Sequence, residues 1–327
     1  MNRQRFLTTL LSTAVTAAAA TLAAPALAQQ GIVKIVVGYP AGATSDALAR
    51  VVAEHMAGTL KQTVIVENKP GAGGRIANEL VKAAPADGTT LLMTPVATMG
   101  IFPHSFAGQL RYDPFKDFAP VAHLSSFQVG LGVATNVPAK TLAEYVAWVK
   151  SDPQKNGFYG SAAPGSIPHF FGVMFGRAAG LPMTHVPYKG TAAAMQAIAS
   201  NEISAISTVA ADIRALVQSD RARLLAVAGD QRDPAFGNVP TFKELGYDLV
   251  AKPWYAVFAP AGTPPDVLKK LSAAAMAAVA DPALNKRLVD MGLEPTGYGP
   301  DQLAGILKAD YERWGEVIRA SGFKPGQ

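Results

Sequence analysis

Apolar residues follow two rhythms along this chain. The first is a short unbroken run. Ile32-Val33-Lys34-Ile35-Val36-Val37, bounded by glycine, has the β-branched density of a buried parallel strand. The second is helical. From Asp46 to Leu60 the apolar positions Leu48, Val51, Val52, Met56 and Leu60 return every three or four residues. Val64-Ile65-Val66 then predicts a second strand, Ile76 to Ala84 a second helix, and Leu91-Leu92-Met93 a third strand. A βαβαβ start predicts a mainly parallel sheet with helices on both faces.

The later chain repeats the theme. Val129 to Ala134 reads as a strand, and Thr141-Leu142-Ala143-Glu144 as a capping box opening a helix to about Lys150. Phe158-Tyr159 reads as a short strand, with a helix starting near Ser166. His185-Val186-Pro187 ends another strand, and Thr191 to Ala199 is helical. Ile203 to Thr208 and Leu224 to Ala228 are further strands. Thr241-Phe242-Lys243-Glu244 is a second capping box. Thr263-Pro264-Pro265-Asp266 is expected to open a helix with an N-cap and an early proline. Beyond it the chain reads as mostly helical, through Leu271, Val279, Leu288, Leu303 and Trp314. The fold class is therefore α/β, in two halves without a flexible linker, which predicts two domains joined by crossing strands.

Composition narrows the function. The chain has 327 residues, 49% hydrophobic and only 16% charged, which excludes a disordered chain. There is no cysteine, which removes thiol nucleophiles, cysteine-ligated zinc, iron–sulfur clusters and disulfides. The net charge of +5 is scattered, with no basic run of the kind that grips nucleic acid. Residues 1–28 have the form of a cleaved signal peptide: Arg3 and Arg5, an apolar stretch from Phe6 to about Leu22, and the A-x-A site Ala26-Leu27-Ala28. No later run of 18 apolar residues occurs, so a periplasmic, exported chain is expected, cut after Ala28.

Catalytic motifs are mostly absent. There is no nucleophile elbow, no phosphate-loop lysine motif and no H-E-x-x-H. His55, His104, His123, His169 and His185 have no metal-ligand spacing, so no metal and no cofactor is expected. Gly71-Ala72-Gly73-Gly74 fails the dinucleotide fingerprint, because Ile76 stands where a third glycine belongs. It reads as a tight loop before a helix.

Two loops have the character of anion cradles. Gly38-Tyr39-Pro40-Ala41-Gly42-Ala43-Thr44-Ser45-Asp46 joins the first strand to the first helix. Its small residues admit a ligand close to the backbone, Thr44 or Ser45 can cap the helix, and a helix N-terminus favours an anion. Tyr159-Gly160-Ser161-Ala162-Ala163-Pro164-Gly165-Ser166-Ile167-Pro168-His169 makes the same transition in the second half. Ordinary capped turns look alike, but two of them at corresponding strand ends would face each other across one cleft.

At these residues the chain resembles the substrate-binding proteins of tripartite tricarboxylate transporters, the TctC or Bug receptors. The likeness rests on Tyr39-Pro40-Ala41-Gly42 with Asp46, Ala49 and Arg50, and on Val66-Glu67-Asn68-Lys69-Pro70-Gly71-Ala72-Gly73-Gly74. It continues through Tyr159-Gly160-Ser161 with Gly165, Ser166 and His169, and Val186-Pro187-Tyr188-Lys189-Gly190. Val239-Pro240-Thr241, Trp254-Tyr255 and Ala259-Pro260-Ala261-Gly262-Thr263-Pro264 complete it.

The resemblance implies a type II-like periplasmic clamshell closing on a small mono- or dicarboxylate. It also implies delivery of that ligand to the large and small subunits of a membrane transporter. It places domain one at about 29–129 plus 250–327 and domain two at about 130–249. It puts one carboxylate between the loop Tyr39–Asp46 and the loop Ser161–Ser166. The candidate binding residues are Tyr39, Ala41, Gly42, Ala43, Thr44, Ser45, Asp46, Ala97, Thr98, Phe127, Ser161, Ala162, Ser166, His169, Tyr188 and Thr208. Thr208 carries no charge, which argues against ammonium recognition there, and Asp212 is expected to face elsewhere.

Aromatic candidates near the cleft are Tyr39, Phe127, Phe170, Tyr188 and Trp254, and several of them together would favour an aromatic acid. Phe171, Phe175 and Trp148 read as core. The cleft loops contain no arginine, so neutral donors are expected to hold the anion. Two other roles compete: a ligand-loaded receptor for a membrane sensor kinase, and an exported hydrolase using Ser166 and His169.

Overall fold

The computed structural model describes residues 31–323; the expected signal peptide lies outside them. Among the described residues the strands are β1 Val33–Val37, β2 Val64–Asn68, β3 Thr90–Pro95, β4 Phe118–Ser126, β5 Val129–Ala134, β6 Phe158–Ser161, β7 Thr184–Pro187, β8 Ala205–Val209, β9 Ala222–Val227, β10 Trp254–Pro260 and β11 Glu294–Tyr298. The helices are α1 Thr44–Leu60, α2 Arg75–Lys82, α3 Phe102–Ser105, α4 Leu142–Ser151, α5 Pro153–Asn156, α6 Ile167–Ala178, α7 Thr191–Ala199, α8 Ala210–Gln218, α9 Pro265–Ala280, α10 Pro282–Asp290 and α11 Pro300–Ser321.

They form two sheets. The first has six strands in the order β11-β4-β10-β3-β1-β2, and the second five in the order β7-β6-β8-β5-β9. β1 pairs in parallel with β2 and β3, while β10 runs against β3 and β4. In the second sheet β6 is parallel to β7 and β8, and β5 alone runs against both its neighbours. The strands that reverse, β5 and β10, are those by which the chain passes between the two sheets. β5 begins only three residues after β4 ends, and β10 follows the long return from β9.

The buried faces follow the hydrophobic pattern. β1 places Ile35, Val36 and Val37 at 0% exposure, and α1 lays Leu48, Val52 and Met56 against the same layer. In the second half Tyr145, Phe171, Phe175 and Phe242 pack together, so Phe171 and Phe175 are core as expected, while Trp148 is only half-buried. The capping box at Thr141 closes with both bonds present. The one at Thr241 also closes, Glu244 N–H donating to Thr241 Oγ1 at 3.0 Å and Thr241 N–H to Glu244 Oε2 at 2.8 Å, but it secures a turn. Gly246, with φ of 86°, follows and no helix propagates.

One expectation changes. Thr263 does not cap α9; its hydroxyl donates to Pro260 O at 2.8 Å, and Pro264 takes the cap position. The chain beyond it is mostly helical as read, in α9, α10 and α11, with the short strand β11 returning to the first sheet. β4 was also unforeseen. β10 is an apolar run, Trp254-Tyr255-Ala256-Val257-Phe258-Ala259, buried from both faces. Trp254 is structural: it is 1% exposed and donates from Nε1 to Asp310 Oδ2 at 2.7 Å on α11.

Candidate functional site

A cleft of about 690 Å³ lies where the two sheets' loops face each other, lined from both halves of the chain. Its first wall is the loop from β1 into α1. Gly42 turns the chain with φ of 85°, and Ala43 occupies the N-cap position with no side-chain cap. Neither Thr44 nor Ser45 caps the helix, contrary to expectation. The N–H groups of Thr44, Ser45 and Asp46 therefore have no acceptor among the described residues. A 17-residue helix thus presents a bare, electropositive first turn at the cleft.

Asp46 holds this turn from behind. It does not line the cleft and is 3% exposed. Its carboxylate accepts Gly42 N–H at 2.9 Å, Arg50 Nε at 3.0 Å and Asn68 Nδ2 at 2.9 Å. Asn68 donates also to Tyr39 O at 3.1 Å, which ties β2 to the loop. Burial pushes the Asp46 pKa up, but the Arg50, Gly42 and Asn68 donors outweigh it and hold it at about 2.

The opposite wall is the loop from β6 into α6. Ser166 caps α6, its Oγ accepting His169 N–H at 3.3 Å and donating to Ala163 O at 2.7 Å. Gly165, at φ of 74°, donates its N–H to His169 Nδ1 at 3.0 Å. Both ring and hydroxyl of the proposed hydrolase pair are thus engaged with backbone, and the His169 ring makes no bond to Ser166 Oγ. Burial pushes the His169 pKa down to about 4. His169 stacks on His185 with ring centroids 3.9 Å apart, and His185 Nε2 is 2.7 Å from Ser161 Oγ. This half-buried Ser161–His185 pair braces the loop, a contact that residues 24 apart do not announce in sequence.

Of the sequence candidates, Tyr39, Gly42, Ala43, Thr44, Ser45, Ala97, Phe127, Ala162, Ser166 and Thr208 line the cleft. Ala41, Asp46, Thr98, Ser161, His169 and Tyr188 do not. Ala41 faces solvent. Thr98 is fully buried, its hydroxyl 2.7 Å from that of Thr94. Tyr188 lies over Gly160 and donates to Glu202 Oε1 at 3.1 Å. Phe170 and Trp254 belong to the core.

The sequence reading missed several lining residues. Arg75 lines the cleft, at the start of α2 beyond the glycine loop. Its Nε donates to Ala72 O at 2.8 Å and its guanidinium lies 4.4 Å from the Phe106 ring centroid. It makes no ion pair among the described residues. Asp212, in the first turn of α8, also lines the cleft, contrary to expectation. Burial alone pushes its pKa up to about 6. Phe102, Phe106 and Tyr255 add aromatic surface, with Tyr255 tilted on Phe127 at 5.1 Å between centroids. Arg75 was legible as a cation next to a glycine turn, but nothing in its spacing placed it in one cleft with the loop that follows β6.

Residues 48–323 match the family described as tripartite tricarboxylate transporter family receptor, TctC. A UPF0065 protein of Cupriavidus necator, from the gbd 5′ region, is 31% identical over 332 residues, covering 100% of both chains. A solved Rhodopseudomonas palustris protein, MatC with bound malate, is 31% identical over 88% of this chain and 98% of its own, with a TM-score of 0.75. A second R. palustris protein, solved with adipate, is 28% identical over 89% of this chain and 97% of its own, with a TM-score of 0.79. With its two α/β halves, its facing loops and a match over most of its length, the chain belongs to the TctC family of tripartite tricarboxylate transporter receptors.

Proposed function

We propose that this protein is a periplasmic receptor that encloses a small organic carboxylate and delivers it to a tripartite tricarboxylate-type membrane transporter. One observation carries the reading: the uncapped first turn of α1, with free N–H groups at Thr44, Ser45 and Asp46, opens on a cleft large enough for a small acid. Charge-assisted bonds from such donors stabilise by ~1.5–3 kcal/mol each, so a few of them with Arg75 reach the ~8 kcal/mol of a micromolar complex. The malate and adipate seen in two related structures are acids of fitting size.

In this reading the two lobes are about 29–129 plus 250–327 and about 130–249, a division supported by the two separate sheets and by the crossings at 127–128 and between β9 and β10. Closure brings the Ala162–Ser166 loop of the second lobe onto the ligand held at α1. The test is a thermal-shift panel on ligand-stripped protein, with di- and tricarboxylates, aromatic acids and their neutral amides. Ligand at 100 times its Kd adds ~2.7 kcal/mol. A shift with an acid and none with its amide is expected; equal shifts with both, or none with any acid, would overturn the reading. Gly42→Val should weaken binding, since φ of 85° is unfavourable for a β-branched residue although no atom lies within 4 Å of the added Cβ.

A further inference from the structure

We infer that α11 ties the two lobes together outside the hinge, and that Phe323 at its end is a positioning residue for the ligand-facing loop Ala162–Ser166. The inference rests on the two-lobe carboxylate reading above and adds the element that holds one wall of the cleft in place.

For most of its length α11 belongs to the first sheet. It packs on β4 and on the turn 97–101, and its Leu303, Leu307, Trp314 and Ile318 are buried. Polar bonds fix it there. Trp254 Nε1 donates to Asp310 Oδ2 at 2.7 Å, Arg313 Nη1 donates to Val250 O at 3.0 Å, and His104 Nε2 lies 2.8 Å from Tyr311 O. A helix of 22 residues is about 33 Å long, enough to carry its last turns past the edge of its own layer. Those turns lie on α6, which flanks the second sheet, and the Arg177 guanidinium of α6 donates to Ala320 O.

Gly322, at φ of 71°, ends the helix, and the half-buried Phe323 lays its ring against the second half. The ring meets Phe170 and His169 edge-on, with centroids 5.4 Å and 5.6 Å away. Its tip covers Gly165, where an added Cβ would lie 3.2 Å from Phe323 Cζ. The His169 imidazole is thereby flanked by Phe323 and by His185, on which it stacks at 3.9 Å. In that position its Nδ1 accepts Gly165 N–H at 3.0 Å. A chain of contacts thus runs from the core of the first sheet through α11, Phe323 and the His169 ring to the backbone of the ligand loop. Phe323, His169 and Arg177 do not line the cleft, whereas Ala162, Ala163, Pro164, Gly165 and Ser166 do.

The loop needs such support. It is built of small residues, and a glycine in it loses much conformational freedom on ordering. A loop ordered before the ligand arrives spares the ligand that cost, so support from outside the cleft appears as affinity. Phe323 stands at a helix end and leaves the buried core of either sheet intact when shortened, so its loss acts on the loop and not on the fold.

The test uses the chain from residue 29 onward, stripped of ligand, as wild type, Phe323→Ala, Phe323→Tyr and Arg177→Met. Amide hydrogen exchange of the free proteins is read by mass spectrometry. Peptides covering 162–170 are expected to exchange roughly 10-fold faster in Phe323→Ala, to an intermediate degree in Arg177→Met, and as in wild type in Phe323→Tyr, with those from β1 and β8 unchanged. Titrations with malate and adipate should show affinity lowered roughly 5-fold in Phe323→Ala and restored in Phe323→Tyr, with the melting temperature of the free protein within about 2 °C of wild type. Faster exchange confined to 315–323, with 162–170 as in wild type, would mean that only the helix end frays and would overturn the inference. Unchanged affinity in Phe323→Ala, where wild type binds either acid, would overturn it as well. A wild-type protein that responds to no acid in these titrations or in the thermal panel would overturn the carboxylate reading, and the exchange of 162–170 would still decide whether Phe323 holds the loop.

Discussion

Replacing Asp46 by asparagine tests whether the first ligand-facing turn is held by a charge that never touches the ligand. The Asp46 carboxylate gathers Gly42 N–H, the Arg50 guanidinium and the Asn68 amide, all within 3.0 Å. Its pKa lies at about 2 against an ordinary 3.8. At ~1.36 kcal/mol per pH unit, that difference sets an upper bound of ~2.4 kcal/mol on the preference of the fold for the ionised form. The Arg50 side chain is 53% exposed, so water screens its share, and the expected cost of the substitution is about 1–2 kcal/mol. In a chain of this size that lowers Tm by roughly 2–6 °C.

The sign with pH follows from the direction of the shift. A carboxyl whose folded pKa is depressed stabilises fully above its unfolded pKa, and that stabilisation fades as pH falls through the folded value. The gap between wild type and Asp46→Asn should therefore be constant from pH 7 to about pH 5 and close between about pH 4 and pH 2. Urea unfolding of both proteins across that range measures it. No gap at pH 7, or a gap that persists unchanged at pH 2.5, would refute the argument. Ligand affinity should fall in the same variant, since Gly42 and the first turn of α1 lose their brace.

Three further outcomes are expected. Arg75→Gln should weaken binding of a carboxylate ligand roughly 5- to 30-fold in a titration without changing unfolding stability by more than about 0.5 kcal/mol; unchanged affinity would remove Arg75 from the site. Gly172→Ala should cost about 1–3 kcal/mol, because the new Cβ would lie 2.0 Å from the Tyr159 ring, whose hydroxyl donates to His169 O at 2.8 Å; a neutral result in denaturant titration would show that the ring gives way freely. His169 and His185 have pKa values pushed down by burial to about 4 and about 3, so the unfolded chain binds more protons than the fold below pH 6.5. Stability should fall as pH drops from 6.5 toward 4, with a shallower fall in His185→Asn, and equal slopes in both proteins would exclude the stacked pair as the cause.

What the sequence determined by itself is the order and type of most elements. The β1–α1–β2–α2–β3 start was readable because apolar periodicity within a dozen residues reflects which face each segment buries, and that is a local property. The helix Thr191–Ala199 falls on its expected bounds, and the capping box at Thr141 forms as read. The two ligand-facing loops were legible too, as small-residue stretches between a strand and a helix.

Sheet composition was decided only by tertiary structure. β10 and β11 reverse direction and complete the first sheet across more than a hundred residues of intervening chain, and pairing at that distance leaves no local periodic trace. The same holds for the site. Arg75, Phe106, Asp212 and Tyr255 reach one cleft from four separate elements or turns, and each alone is an unremarkable residue in its own segment. Capping was likewise settled in three dimensions: Thr44 and Ser45 could each have capped α1, but Asp46 draws the Gly42 amide to itself and the turn stays bare. Sequence specifies what each segment must bury; which charges then go unpaired in a cleft depends on what the fold brings opposite them.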